Sequence, residues 1–285
     1  YLSTNDYEEA HEAIDFALAI DDSNAEALTL KAFCYQQSGQ LQKSCDYYLR
    51  LAEQQENKTR AYLALAKTYF EMQNYTSSIY YIEALLDNKD ALSKYELSEL
   101  YGDIALCHAA LKHIGVGQAS IRRSLELNEN DPDTLIVAGR FFLMEAKACN
   151  DETAKAENQA KGELYFRQAL NLIMEDERLD YLFTIGAACF DTQNFKLAAQ
   201  YYEQINREFP DNAPATYFFL AYCYFYLEEA ISCMHYIAKM KHELPDAYSN
   251  LGTSDSILSD TRFNELMRNL KDSVNNGKVD LDNFL

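Results

Sequence analysis

Small residues recur along this chain at a fixed interval, on two separate ladders. The first passes through Ala32, Ala66, Ala105, Gly139, Gly186 and Ala221, in steps of 34, 39, 34, 47 and 35 residues. The second passes through Ala10, Ser44, Ser78, Gly117, Gly162, Ala198 and Ala230, in steps of 34, 34, 39, 45, 36 and 32. Two ladders sharing a basic step of 34 define a repeating unit of two helices, each with one small position. Small side chains let neighbouring helices approach closely, and a large residue four positions on fills the gap between turns. A lone helical hairpin cannot bury its apolar face, so each unit depends on its neighbours.

The most regular copy is Ala25–Lys58, two amphipathic helices around a turn at Ser38-Gly39-Gln40. Its marked positions are Leu28, Ala32, Tyr35, Gly39, Leu41, Ser44, Tyr48 and Leu51. The next unit repeats them as Tyr62, Leu65, Ala66, Tyr69, Tyr75, Ser78 and Ile82. A later one reads Leu182, Ile185, Gly186, Phe195, Ala198, Tyr202, Ile205 and Pro210. The first copy supplies a second helix alone, with Tyr7, Ala10, Ile14 and Ala17 in place. These residues and their period resemble the tetratricopeptide repeat, over residues 1–251. The resemblance implies an all-α, right-handed superhelical solenoid of about six to seven helix–turn–helix repeats, with a C-terminal cap over residues 252–285. It also implies that ligands lie along a concave face built from first helices.

Composition agrees with long helices and short turns, since the chain holds 4 Pro and 9 Gly. The formal net charge of −20 repels phosphate backbones and anionic lipid, which disfavours nucleic acid and membrane surfaces. A basic or apolar partner is accommodated more easily; an acidic exterior that serves solubility is the plainer reading. No apolar run reaches the length of a membrane span. The seven cysteines, Cys34, Cys45, Cys107, Cys149, Cys189, Cys223 and Cys233, form no CxxC pair and mostly fall on apolar faces. They are expected as reduced, buried thiols, and with them a cytoplasmic location. The chain has no initiator Met and opens in mid-repeat, so an upstream segment is expected, a removed signal sequence being one form of it.

Departures from the period mark local change. Ser78 to Gly117 carries five extra residues, expected at the polar turn Asp87-Asn88-Lys89-Asp90. Gly117 to Gly162 carries eleven, expected within Ala146–Ala156, with both helices lengthened around Asn150-Asp151 as turn and N-cap. Ala221 to Ala230 spans nine residues against twelve from Ala32 to Ser44, which predicts a tightened turn. Beyond His242, Pro245-Asp246 opens a short helix and Gly252-Thr253-Ser254 breaks it. Asp260 then caps a helix to about Asn275, with Phe263, Leu266, Met267 and Leu270 on one face. Such a helix closes the open end of an array. The final DLDNFL either docks or stays free.

Catalytic chemistry finds no support. His11, His108, His113, His235 and His242 make no HExxH or HxH arrangement, and Cys107-His108 point about 100° apart on a helix. No Gly-rich phosphate loop or GxSxG serine is present. No catalytic residue, cofactor or metal site is therefore expected, and the chain reads as a non-enzyme.

Binding is better supported. Counting Ala25 as position one, the face-lining positions five, nine and twelve include Lys67 and Phe70, Gly102, Leu106 and Ala109, and Ile136, Arg140 and Leu143. Further on they include Phe183 and Phe190, and Phe218, Tyr222 and Phe225, with Tyr226 beside them. No unit has the Lys and Asn or Arg pair with which one branch of the family clamps a C-terminal carboxylate. What the face offers is aromatic, densest in Thr216–Tyr226. Either that patch receives a partner or the terminal helix covers it. The reading that follows is a scaffold for a protein or peptide segment, apolar with basic flanks, through Lys67, Phe70, Arg140, Phe183, Phe190, Phe218, Tyr222, Phe225 and Tyr226. The alternatives are a homo-oligomeric assembly module, or the docking half of a larger protein.

Overall fold

Each 34-residue period becomes a helix, a three-residue turn and a second helix. The computed structural model describes residues 7–54, 58–87, 89, 92–253 and 260–285. Among them lie fifteen α-helices and no strand. Contacts divide the chain into two compact units, Tyr1–Ala148 and Cys149–Leu285. The first holds α1 (Tyr7–Ile20), α2 (Ala25–Gln37), α3 (Leu41–Gln54), α4 (Thr59–Glu71), α5 (Tyr75–Leu86), α6 (Lys94–Ala110), α7 (Ile114–Leu127) and α8 (Pro132–Ala148). The second holds α9 (Glu152–Leu170), α10 (Arg178–Asp191), α11 (Phe195–Glu208), α12 (Tyr217–Tyr226), α13 (Ala230–Glu243), α14 (Pro245–Asn250) and α15 (Thr261–Asn275). The cap expected over residues 252–285 falls within the second unit.

Five of the hairpin turns share one geometry. Gly39, Gln73, Lys112, Gln193 and Glu228 all sit in the left-handed region, with φ of 72°, 59°, 61°, 62° and 60°. The next residue then donates its N–H back to a carbonyl five positions earlier: Gln40 to Tyr35, Asn74 to Tyr69, His113 to His108, Asn194 to Cys189 and Glu229 to Tyr224, at 2.8–3.0 Å. This is the Schellman closure, which satisfies carbonyls that the helix end would leave bare.

The fifth of these turns corrects the sequence expectation. Leu227–Glu229 is three residues long like the others, not tightened. Ala230 is exposed at the start of α13, and the small buried position is Cys233, twelve residues after Ala221. Four positions on, Ile237 is buried, as Tyr48, Ile82, Ile121, Phe166 and Tyr202 are in their helices. Cysteine acts here as the small hydrophobe.

Both insertions extend helices. The five-residue excess goes mainly into the start of α6, 17 residues against the 13 of α2. Ser93 caps it, accepting from Glu96 N–H while the Glu96 carboxylate accepts from Ser93 N–H. The expected site overlaps Asn88 and Asp90, which lie outside the described residues. The eleven-residue excess lengthens both α8 and α9, and Asp151 caps α9 by accepting from Ala154 N–H, as expected.

Packing at the small positions is tight. A Cβ on Gly117 would meet Phe141 Cε2 at 2.8 Å, and one on Gly186 would meet Tyr202 Cε1 at 2.8 Å. Between α6, α7 and α8, Ser98 Oγ donates to Ser124 O at 2.9 Å and Ser124 Oγ to Ser98 O at 2.8 Å, with Thr134 Oγ1 3.1 Å from Ser98 Oγ. These exchanges satisfy buried hydroxyls where two backbones approach. Lys31 of α2 is buried and reaches Asp15 of α1 at 2.7 Å.

The chain terminus docks. Leu281 is buried, His235 Nδ1 donates to the Phe284 carbonyl oxygen at 2.6 Å, and Asp282 meets His242 at 3.0 Å.

Candidate partner-binding surfaces

In the first unit, α4, α6 and α8 bring aromatic and charged groups together. The Arg140 guanidinium lies over the Phe70 ring, 5.7 Å from its centre, and Phe70 meets Tyr75 edge-on at 5.4 Å. Lys67 is exposed, while Phe70 and Arg140 are half-buried. Two carboxylates complete the cluster, at positions outside the five, nine and twelve of the count. Burial pushes Asp103 up to about 6; Lys67 and Arg140 pull it down and Glu99 pushes it further up. Glu99 is raised as well, by burial first, against the pull of Lys67.

The face expected from α6 is different in detail. Gly102, Leu106 and Ala109 are buried, and a Cβ on Gly102 would meet Val137 Cγ1 at 2.9 Å. Ile136 and Leu143 of α8 are buried too. These residues pack helices together; the polar neighbours Glu99 and Asp103 stand beside the cations instead. The available signal was charge: two acids one turn apart, between a lysine helix and an arginine helix.

In the second unit, α15 packs on the aromatic helix α12. Phe263 lies 5.1 Å from Tyr222, 5.5 Å from Phe225 and 6.1 Å from Phe218, ring centre to ring centre. Phe218 and Tyr222 keep 6% and 8% of their surface. Phe225 and Tyr226 stay half-buried, with the Arg262 guanidinium over both at 5.8 and 5.6 Å. Asp260 accepts from the hydroxyls of Tyr222 and Tyr226. Phe190 packs against Phe195, Phe219 and Tyr222, and Phe183 leans on Tyr202 at 6.5 Å. The terminal helix thus lies over Phe218 and Tyr222, while Phe225 and Tyr226 keep part of their surface.

Six cysteines are buried and Cys149 is half-exposed; all seven are free thiols. Burial pushes Cys45 and Cys107 up to about 11, and Cys223 and Cys233 up to about 12. Unreactive thiols of this kind serve packing. Among the described residues no three His, Cys, Asp or Glu side chains converge as a metal site. No helix among them is long and apolar enough to cross a membrane.

The chain matches no model of a known protein family, and no curated protein matches it. Solved structures do match. PilW, a widely conserved type IV pilus biogenesis factor, superposes with a TM-score of 0.51 at 17% identity, over 74% of this chain and 89% of that one. This is a tetratricopeptide-repeat fold. Pseudomonas aeruginosa PilF also aligns, at TM-score 0.48 and 18% identity over 74% of this chain and 87% of that one. So does the C-terminal part of a TPR repeat-containing protein from Cytophaga hutchinsonii, at 0.45 and 14% over 85% and 92%. Within this fold, the hairpins α2–α3, α4–α5, α6–α7, α10–α11 and α12–α13 share the same closing turn.

Proposed function

We propose that this TPR protein is a non-catalytic scaffold that binds a protein or peptide segment through first-helix side chains. The observation that carries it is the first-unit cluster, where a half-exposed aromatic ring, two cations and two carboxylates share one surface. Phe70 offers apolar area worth roughly 25 cal/mol per Å² buried, before entropy losses. Lys67 and Arg140 pair with acidic groups of a partner; Glu99 and Asp103 pair with basic ones. The aromatic side chains Phe183, Phe190, Phe218, Tyr222, Phe225 and Tyr226 form a second binding surface, reached by a partner that exchanges with α15. The chain's charge of −20 favours segments with basic flanks and makes association sensitive to salt.

Selection of a random peptide library on the purified protein tests this reading. Enriched peptides are expected to carry apolar residues next to Lys or Arg, and to lose binding to Phe70→Ala/Glu99→Gln. Peptides that hold both proteins equally well remove the first-unit surface from the proposal.

A second reading, homo-oligomeric assembly, draws on α1. Its Phe16 and Ile20, one turn apart, keep 72% and 74% of their surface. A second copy would cover them. Light scattering at rising concentration decides this: a strict monomer excludes it.

A further inference from the structure

The turn between α6 and α7 brings two histidine rings together. The five Schellman turns set matching residues at their two ends: Tyr35 and Gln40, Tyr69 and Asn74, His108 and His113, Cys189 and Asn194, Tyr224 and Glu229. Among them, His108 and His113 alone are both metal-ligating types. Their Nδ1 atoms lie 3.4 Å apart, with ring centres 5.6 Å apart and planes at 43°. At that separation the two nitrogens share at most a long hydrogen bond, beyond the usual 2.7–3.2 Å. The separation equals the spacing of about 3.4 Å between two nitrogens that each lie about 2.0–2.1 Å from a tetrahedral zinc ion.

We propose that His108 and His113 form a two-imidazole site for a borderline divalent cation of the zinc class, with water in the remaining positions. The backbone preorganises it, because His113 N–H donates to the His108 carbonyl at 2.8 Å and Lys112 holds the left-handed turn. Imidazole binds metal only when neutral.

A second observation is what His113 gives up. It stands at the N-cap of α7 and makes no side-chain cap bond. At the matching position, Asn74 accepts from Ser77 N–H and Asn194 from Leu197 N–H. A histidine here forgoes a capping bond that asparagine supplies twice elsewhere in the same array.

Calorimetric titration of the whole chain with Zn²⁺ tests the site. His113→Asn restores the repeat's own capping residue, so it folds at least as well as the wild type without metal. It is expected to weaken Zn²⁺ binding by ~10-fold or more, since loss even of supporting groups around a metal costs that much. His242→Asn, which alters a histidine of the second unit, is expected to leave binding unchanged. In NMR spectra, the His108 and His113 ring signals should move together on adding Zn²⁺. Binding that survives His113→Asn unchanged, or Zn²⁺ that shifts other histidines first, overturns the proposal. So does an absence of binding at millimolar Zn²⁺.

Discussion

Tyr222 donates its hydroxyl to Asp260 at 2.5 Å, across 38 residues of sequence. The same carboxylate caps α15, accepting from Arg262 N–H at 2.9 Å and Phe263 N–H at 3.1 Å. One side chain therefore starts the terminal helix and attaches it to the aromatic one.

Asp260→Ala removes a cap and leaves two tyrosine hydroxyls without their acceptor. A loss of about 1–2 kcal/mol is expected in urea unfolding, with Asp260→Asn losing less because it still caps. The same residue gives a pH dependence. Burial alone would raise its pKa, but hydrogen bonds from Tyr222, Tyr226, Phe263 and Arg262 outweigh that and lower it. A lowered carboxylate pKa means stability that is present above the unfolded value and is lost as pH falls through the folded one. Hydrogen exchange of α15 should therefore accelerate in acid below the usual carboxylate range, and less so in Asp260→Asn.

Two glycines in one helix should respond oppositely to alanine. Gly117→Ala drives a methyl into Phe141, which is fully buried, and should cost about 1–3 kcal/mol. Gly115→Ala meets nothing within 4 Å and should be neutral or stabilise by up to about 1 kcal/mol. Denaturant midpoints of the two variants check the pair.

Left-handed turns held by larger residues can be relieved. Gln193 is exposed at φ 62° where Gly39 does the same task at 72°. Gln193→Gly should gain about 0.5–1 kcal/mol, and Gly39→Ala should lose a similar amount. Equal thermal midpoints for wild type and Gln193→Gly would contradict this account.

Thiol labelling should be selective. Cys149 is half-exposed, whereas the other six cysteines are buried with their thiols shielded. A native chain treated with a maleimide at neutral pH is expected to take up one label quickly, at Cys149, and seven in denaturant. Rapid native labelling at Cys107 or Cys223 would contradict the packing described.

Much of the architecture was legible because the 34-residue period is a local property. Ala32, Ser44 and Tyr48 announce their roles within one hairpin, and Asp151 and Asp260 announce themselves as caps. The misreadings also have physical causes. Alanine is the commoner small residue, so Ala230 reads as the small position, while Cys233 fills it in the fold. Gly102 looked like part of a binding face because it occupies the right count, yet its missing side chain admits Val137 of a neighbouring helix.

The sequence by itself determined the helical hairpins, their turns and their stacking surfaces, because helix period and turn closure depend on residues within a few positions of each other. Tertiary structure decided which surfaces remain available. The aromatic run Tyr217–Tyr226 has the same composition whether open or covered, and only the placement of Phe263 and Asp260 distinguishes the two. The charges around Phe70 likewise come from three helices, so their meeting depends on packing that no single stretch of sequence encodes.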